Sequence, residues 1–290
     1  MQKTSTAGRF AATCAALLLS LFAAPPLHAG KPAEHGRFHH VHLNVADPDR
    51  TAAFYAKVFG VTPTRYAGRI PALLSERAFV FLDTPAAPIR SQLHTGLIHI
   101  GWGGVDGPSE FAYWQKQGIE FYTPLSPLGI AHYFYLYGPD REVIEIWTTE
   151  RHHRLNHVHM LAEDPAAVGR WFQAVTNPEL PVGPAAAGLG TVTIDYGDVA
   201  LHILPDAGAT RPKERTGAMQ PTDGSGIDHV AIAFEDLEAA YRRVRKASVA
   251  IERPLRTDPK TGLRHFFVRA PNGVLVEMVK ARPLPEAAWR

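Results

Sequence analysis

Four times along the chain a histidine is followed, after six intervening residues, by an aspartate: His40 and Asp47, His99 and Asp106, His157 and Asp164, His229 and Asp236. The segments "HVHLNVAD", "HIGWGGVD", "HVHMLAED" and "HVAIAFED" each lead into a stretch with an apolar or aromatic stripe at helical spacing, such as "RTAAFYAKVFG" or "LEAAYRRVRK". A repeat of this kind constrains the fold more than any single propensity does, because each copy is a small unit that cannot bury its apolar face alone.

Within a copy, strand alternation gives Val41, Leu43 and Val45 one face and His40, His42 and Asn44 the other, so the apolar face is expected under the helix. Asp47 and Asp164 stand where a helix N-cap belongs, each followed by a proline that the first helical turn accepts. Beyond the second helix lie "HYFYLYGPD" and "EVIEIW", and beyond the fourth "RHFFVRAPNG" and "VLVEMV", each pair a hairpin. The segments "AFVFLD" and "TVTIDYGDVALHIL" read as closing strands of copies one and three, and 181–190 as a loop. Each copy is thus a strand, a helix and a short run of further strands. Residues 148–154, "TTERHHR", form a polar linker between the halves. Residues 206–226, rich in Gly, Pro and charge, join copies three and four as a candidate mobile loop.

The first 29 residues belong to another category. Lys3 and Arg9, the apolar run "AATCAALLLSLFAA" and the exit "PPLHAG" read as a secretory signal peptide, with cleavage near Ala29 or Gly30. The expected address is periplasmic or secreted. Removing Lys3 and Arg9 takes the formal charge of +2 to zero, which argues against nucleic acid or an anionic membrane as partner. Cys14, the single cysteine, leaves with the leader, so no disulfide or thiolate chemistry remains.

These repeats resemble the vicinal oxygen chelate superfamily, which includes glyoxalase I, extradiol dioxygenases and the bleomycin-resistance proteins, over about Phe38 to Lys280. The resemblance implies an α+β fold of four βαβββ modules paired into two tandem half-barrels around divalent metal. Taking sequence neighbours as partners gives a first domain at 38–150 (modules 38–93 and 94–150) and a second at 154–281 (modules 154–208 and 225–281).

Two imidazoles and a carboxylate form the facial set used for Fe(II) and its neighbours. Each half contains that set: His40, His99 and Glu145 in the first, His157, His229 and Glu277 in the second. Glu145 and Glu277 fall on the polar face of their strands, where an unpaired carboxylate is costly and calls for a metal or a hydrogen-bonding partner. His42 and His159, two residues beyond the first-strand histidines, share their face and are expected to touch substrate or to orient the ligands from behind. His39, His152 and His153 read as strand-end or linker histidines. The expected cofactor is a divalent metal, Fe(II) first, with Mn(II), Zn(II) and Ni(II) as alternatives.

Tyr135 precedes Glu145 by ten residues with Pro139 between, the spacing of the catalytic tyrosine in extradiol dioxygenases, whereas the second half has Phe267 there. Tyr135 is therefore the catalytic candidate, a phenol able to donate a proton or hydrogen bond. The histidine those enzymes carry nine residues earlier is Ser126 here, and His132 is out of phase with Tyr135 on a regular strand. Three functions stay open: an extradiol-type dioxygenase, a glyoxalase-like lyase or isomerase, and a binder of small ligands or metal. The expected partner is a small molecule in each case.

Overall fold

The computed structural model describes residues 34–180, 182–184 and 190–282. The expected leader, residues 1–29, lies outside them, and so does most of the 181–190 loop. All four modules are present. The first comprises β1 (Arg37–Asn44), α1 (Pro48–Phe59), β2 (Thr62–Tyr66), β3 (Ile70–Ser75) and β4 (Ala78–Asp83). The second comprises β5 (Leu97–Gly104), α2 (Gly107–Lys116), β6 (Phe121–Leu128), β7 (Ala131–Tyr137) and β8 (Val143–Thr148). The third comprises β9 (Leu155–Ala162), α3 (Pro165–Thr176), β10 (Gly183–Pro184), β11 (Val192–Asp195) and β12 (Ala200–Pro205). The fourth comprises β13 (Ile227–Phe234), α4 (Leu237–Lys246), β14 (Ile251–Thr257), β15 (Arg264–Arg269) and β16 (Leu275–Lys280).

The aspartate of each repeat caps its helix. Asp47, Asp106, Asp164 and Asp236 each accept from a backbone N–H in the first turn, satisfying a donor that the helix itself cannot pair. The apolar stripes that follow, such as Tyr55, Val58 and Phe59 on α1 and Leu237, Ala240 and Val244 on α4, are buried in one continuous core. That core joins the helix-covered faces of both sheets, with Phe59 stacked 4.8 Å from Trp102.

The module pairing differs from the expected one. One eight-stranded sheet has the order β14-β15-β16-β13-β1-β4-β3-β2, and the other β10-β11-β12-β9-β5-β8-β7-β6. Modules one and four therefore share the first sheet, and modules two and three the second, which replaces the division into 38–150 and 154–281. The linkers supply the physical reason. Residues 149–154 are too short to leave the sheet, so β9 returns antiparallel beside β5. The longer segments 84–96 and 206–226 carry the chain between sheets and run side by side, with bridges Arg90 to Ser225 and Thr95 to Gln220.

Instead of hanging free, 206–226 is tied down. The Arg90 guanidinium donates to Gln220 Oε1 and Pro221 O, both at 2.9 Å, and the buried Arg215 donates to Thr95 O at 3.1 Å and pairs with Asp206. Among the described residues no helix is long and apolar enough to cross a membrane.

Candidate metal centres

Each sheet brings two first strands together at an antiparallel seam, β1 against β13 and β5 against β9. Along both seams the pairing slips at one residue just before each ligand candidate. His39, Ile98, Asn156 and Asp228 are the residues skipped, immediately ahead of His40, His99, His157 and His229. A bulge of this kind re-aims the side chains beside it. It lets two consecutive residues turn toward the concave face, which strict alternation forbids.

In the second sheet, His99, Glu145, His157 and His159 converge. His99 Nε2 lies 2.8 Å, His157 Nε2 3.1 Å and His159 Nδ1 3.3 Å from the same Glu145 Oε2. In the first sheet, Glu277 Oε2 lies 3.2 Å from His40 Nε2 and 3.4 Å from His229 Nε2, while His265 Nδ1 pairs with its other oxygen. Ring nitrogens of His40, His42 and His229 lie within 4.8 Å of one another. The expected triads are thereby regrouped. His40 does not join His99 and Glu145, and His157 does not join His229 and Glu277, because the modules that carry them lie in different sheets. His42 and His159, expected to stand behind the ligands or against substrate, are within the clusters themselves.

Protonation in the second-sheet cluster suits a metal. Burial alone would raise the Glu145 carboxyl, but His159, His157 and His99 around it hold it well below the usual carboxylate range. Burial keeps His99 below its ordinary value and His159 well below it. An ionised Glu145 beside neutral His99 and His159 is the state in which those groups bind a divalent ion without first losing protons. In the first sheet, burial pulls His40 and His42 down to about 4. Burial also opposes a charge on His229, yet Asp228 and Glu277 prevail and lift it to about 9. There His40 Nε2 and His229 Nε2 are buried with only the ion-pair approach of Glu277 Oε2 at 3.2 and 3.4 Å, and His265 Nε2 is buried without a hydrogen-bond partner. A divalent ion beside Glu277 would pair the Nε2 atoms of His40 and His229, displacing the proton that His229 otherwise keeps. The residues of both clusters fit a divalent metal.

Several contributing residues escaped the strand pattern. His229 Nδ1 is 2.7 Å from Asp228 Oδ1, His157 Nδ1 2.7 Å from Asn156 Oδ1, and His40 Nδ1 2.8 Å from His39 Nδ1, whose own Nε2 reaches Tyr66 Oη at 3.1 Å. Each partner is the bulged residue, so His39 belongs to a centre rather than to a strand end. His202 on β12 stands beside His159 in the register, with its Nδ1 3.0 Å from Thr193 Oγ1. Its place in module three is that of Glu145 in module two, an equivalence readable in "VALHIL" once the modules are aligned. Gly101 faces His157 across the seam, and a Cβ there would lie 2.0 Å from the imidazole. Only glycine leaves room for that ring.

The two concave faces differ in what covers them. In the first sheet Tyr66, Ile70, Phe79, Phe81, Leu263 and Val279 form a second apolar cluster, whose aromatic rings pack against His39 and His40. In the second sheet Tyr122, Tyr133, Tyr135, Tyr137 and Trp147 are all half-exposed along the strands beside Glu145. Tyr135 pairs with Glu145 in the register and sets its ring edge-on to His99 at 5.0 Å. Burial, then the Glu145 charge, push its phenol far above the ordinary tyrosine value, so it stays a donor. His132 approaches Gly107 on the helix side, away from this face, as alternation predicts.

The sequence profile of the Glyoxalase/Bleomycin resistance protein/Dioxygenase superfamily matches residues 37–278. The chain belongs to this superfamily. Among solved structures it is similar to glyoxalase I from Zea mays, at 17% identity and a TM-score of 0.65 over 84% of this chain and 92% of that one. It is also similar to a candidate dioxygenase from Bacillus subtilis, at 16% identity and a TM-score of 0.59 over 86% of each chain. At such identities the likeness speaks for the fold. No curated protein matches the chain in sequence.

Proposed function

We propose that the chain is an exported, divalent-metal-dependent enzyme acting on a small substrate with two adjacent oxygens, and that its reactive centre is the cluster of His99, Glu145, His157 and His159. The carrying observation is the convergence of three imidazoles on one carboxylate oxygen at the floor of a half-exposed, phenol-lined face. A divalent metal held there would supply Lewis-acid polarisation of a substrate carbonyl. The surrounding side chains then divide the remaining work. Tyr135, neutral and beside His99, donates a hydrogen bond or proton to a substrate oxygen that gains charge. His202, with Nδ1 tied to Thr193 and burial holding it down to about 4, is neutral and offers its other ring nitrogen as a proton acceptor on the opposite wall.

The donor count favours proton transfer over oxygen chemistry. A facial set of two histidines and one carboxylate keeps three positions open for a bidentate substrate and dioxygen. Four protein donors leave room for the two substrate oxygens alone. The favoured reading is therefore a lyase or isomerase of the glyoxalase type. The pairing of Tyr135 with Glu145, at the spacing of extradiol dioxygenases, supports the dioxygenase as second reading.

A screen of 2-oxo acids, α-hydroxycarbonyls and catechols, followed by NMR in D2O and by an oxygen electrode, separates the two. Solvent deuterium entering the carbon beside the carbonyl, without oxygen uptake, is the expected result. Stoichiometric oxygen uptake would establish the dioxygenase instead, and full activity in a Glu145→Ala chain would defeat both. Export is tested by mass spectrometry of the native protein, with the chain expected to start near Gly30 or Lys31.

A further inference from the structure

The first-sheet centre has the donor groups of a metal site but apolar side chains where the second sheet carries phenols. We propose that it is a structural metal clasp tying the first module to the last, and not a second reactive centre. His40 is fully buried and Glu277 is 4% exposed. Phe81 stacks on the His40 ring at 3.8 Å and occupies the position in module one that His202 holds in module three. Tyr66 and Phe79 pack against His39, within an apolar cluster that includes Ile70, Phe81, Leu263 and Val279, and Phe267 stands beside Glu277 where Tyr135 stands beside Glu145. Arg69, in the β2–β3 turn of module one, donates to Lys260 O in the β14–β15 turn of module four at 3.2 Å, so the tips of the two edge hairpins touch.

The donors come from opposite ends of the chain. His40 and His42 lie on the first strand, whereas His229 and Glu277 lie in the last module, so one ion would close a loop spanning almost the whole fold. Closing so long a loop removes much freedom from the unfolded chain. The site is also held rigid before any ion arrives. Asp228 Oδ1 holds His229 Nδ1, and Asp228 Oδ2 in turn accepts from Gly224 N at 2.6 Å and Asn44 Nδ2 at 3.1 Å. His39 and Tyr66 hold His40 in the same manner. Imidazoles held from behind, His229 by a carboxylate and His40 by a second imidazole, suit a borderline cation such as Zn(II).

The test is metal release from the mature, Zn(II)-loaded protein to a chromophoric chelator, followed alongside thermal unfolding. Two pools are expected: a fast one abolished by Glu145→Gln, and a slow one, released only as the chain unfolds, abolished by Glu277→Gln. At free Zn(II) about a thousandfold above its dissociation constant, loss of the slow pool should lower Tm by about 10 °C. Loss of the fast pool should move it far less. Asp228→Asn keeps every donor atom and guards against a Glu277 variant that fails to fold. It should weaken the slow pool by about 10- to 100-fold. The clasp is overturned if Zn(II) leaves both centres at one rate, if only the Glu145 pool exists, or if the Asp228 variant retains its slow pool and its Tm unchanged. None of these outcomes touches the reactive role of the second sheet, which stands or falls with Glu145.

Discussion

Gly101→Ala is the smallest change that tests the second-sheet centre, because it adds one methyl group and removes no donor. The new Cβ would lie 2.0 to 2.2 Å from three atoms of the His157 ring, against an ordinary contact of 3.4 Å or more, so the ring must retreat by about 1.4 Å. His157 Nε2 stands 3.1 Å from Glu145 Oε2, and a retreat of that size takes it out of the cluster. Losing a mere outer partner of a metal ligand costs about 10- to 100-fold in affinity. Displacing the ligand should cost about 100-fold or more, equivalent to roughly 2.8 kcal/mol. Overpacking should separately cost about 1 to 3 kcal/mol of stability. The assay is chelator competition on the folded variant, with circular dichroism to confirm the fold and Tm to read the packing term. An unchanged metal affinity in a folded Gly101→Ala chain would refute the placement of His157 in this centre.

Other perturbations probe separate parts of the structure. Tyr135→Phe removes one hydroxyl beside His99 and should lower turnover by about 100-fold with metal content unchanged; equal turnover would remove the phenol from the chemistry. Burial lifts Glu142, which accepts from Tyr55 Oη at 3.1 Å, to about 7 from an ordinary 4.5. A carboxyl raised on folding favours the folded state below its unfolded value, and that contribution is lost as pH rises through about 7. Glu142→Gln should abolish this loss, of the order of 3 kcal/mol at most, and flatten denaturation midpoints between pH 5 and 8; an unchanged pH profile would contradict the assignment. Arg90→Ala unpicks the exposed staple between the two crossover segments and should cost about 1 to 2 kcal/mol, read by urea denaturation.

The repeat, the capped helices and the concave placement of Glu145 and Glu277 were legible because each follows from a local period. Module pairing was not, since four near-equivalent first strands offer the same edge and nothing local distinguishes partners. The linkers carried that information: 149–154 keeps its neighbours in one sheet, and 84–96 and 206–226 change sheets. Treating "TTERHHR" as a domain boundary reversed their roles. His39, Asn156 and Asp228 were hidden for a different reason. A period of two assigns each to the helix-packing face, and the bulge beside each ligand candidate turns it back toward the centre. His202 was open to view in the sequence, and aligning module three on module two would have found it.

The proposed arrangement sets one metal centre across modules one and four and the other across modules two and three. Anomalous diffraction at the absorption edge of the loaded metal, on crystals of the mature protein, locates the ions without reference to activity. One peak is expected among His99, Glu145, His157 and His159, and a second among His40, His42, His229 and Glu277. A single peak bound jointly by His40, His99 and Glu145 would contradict it.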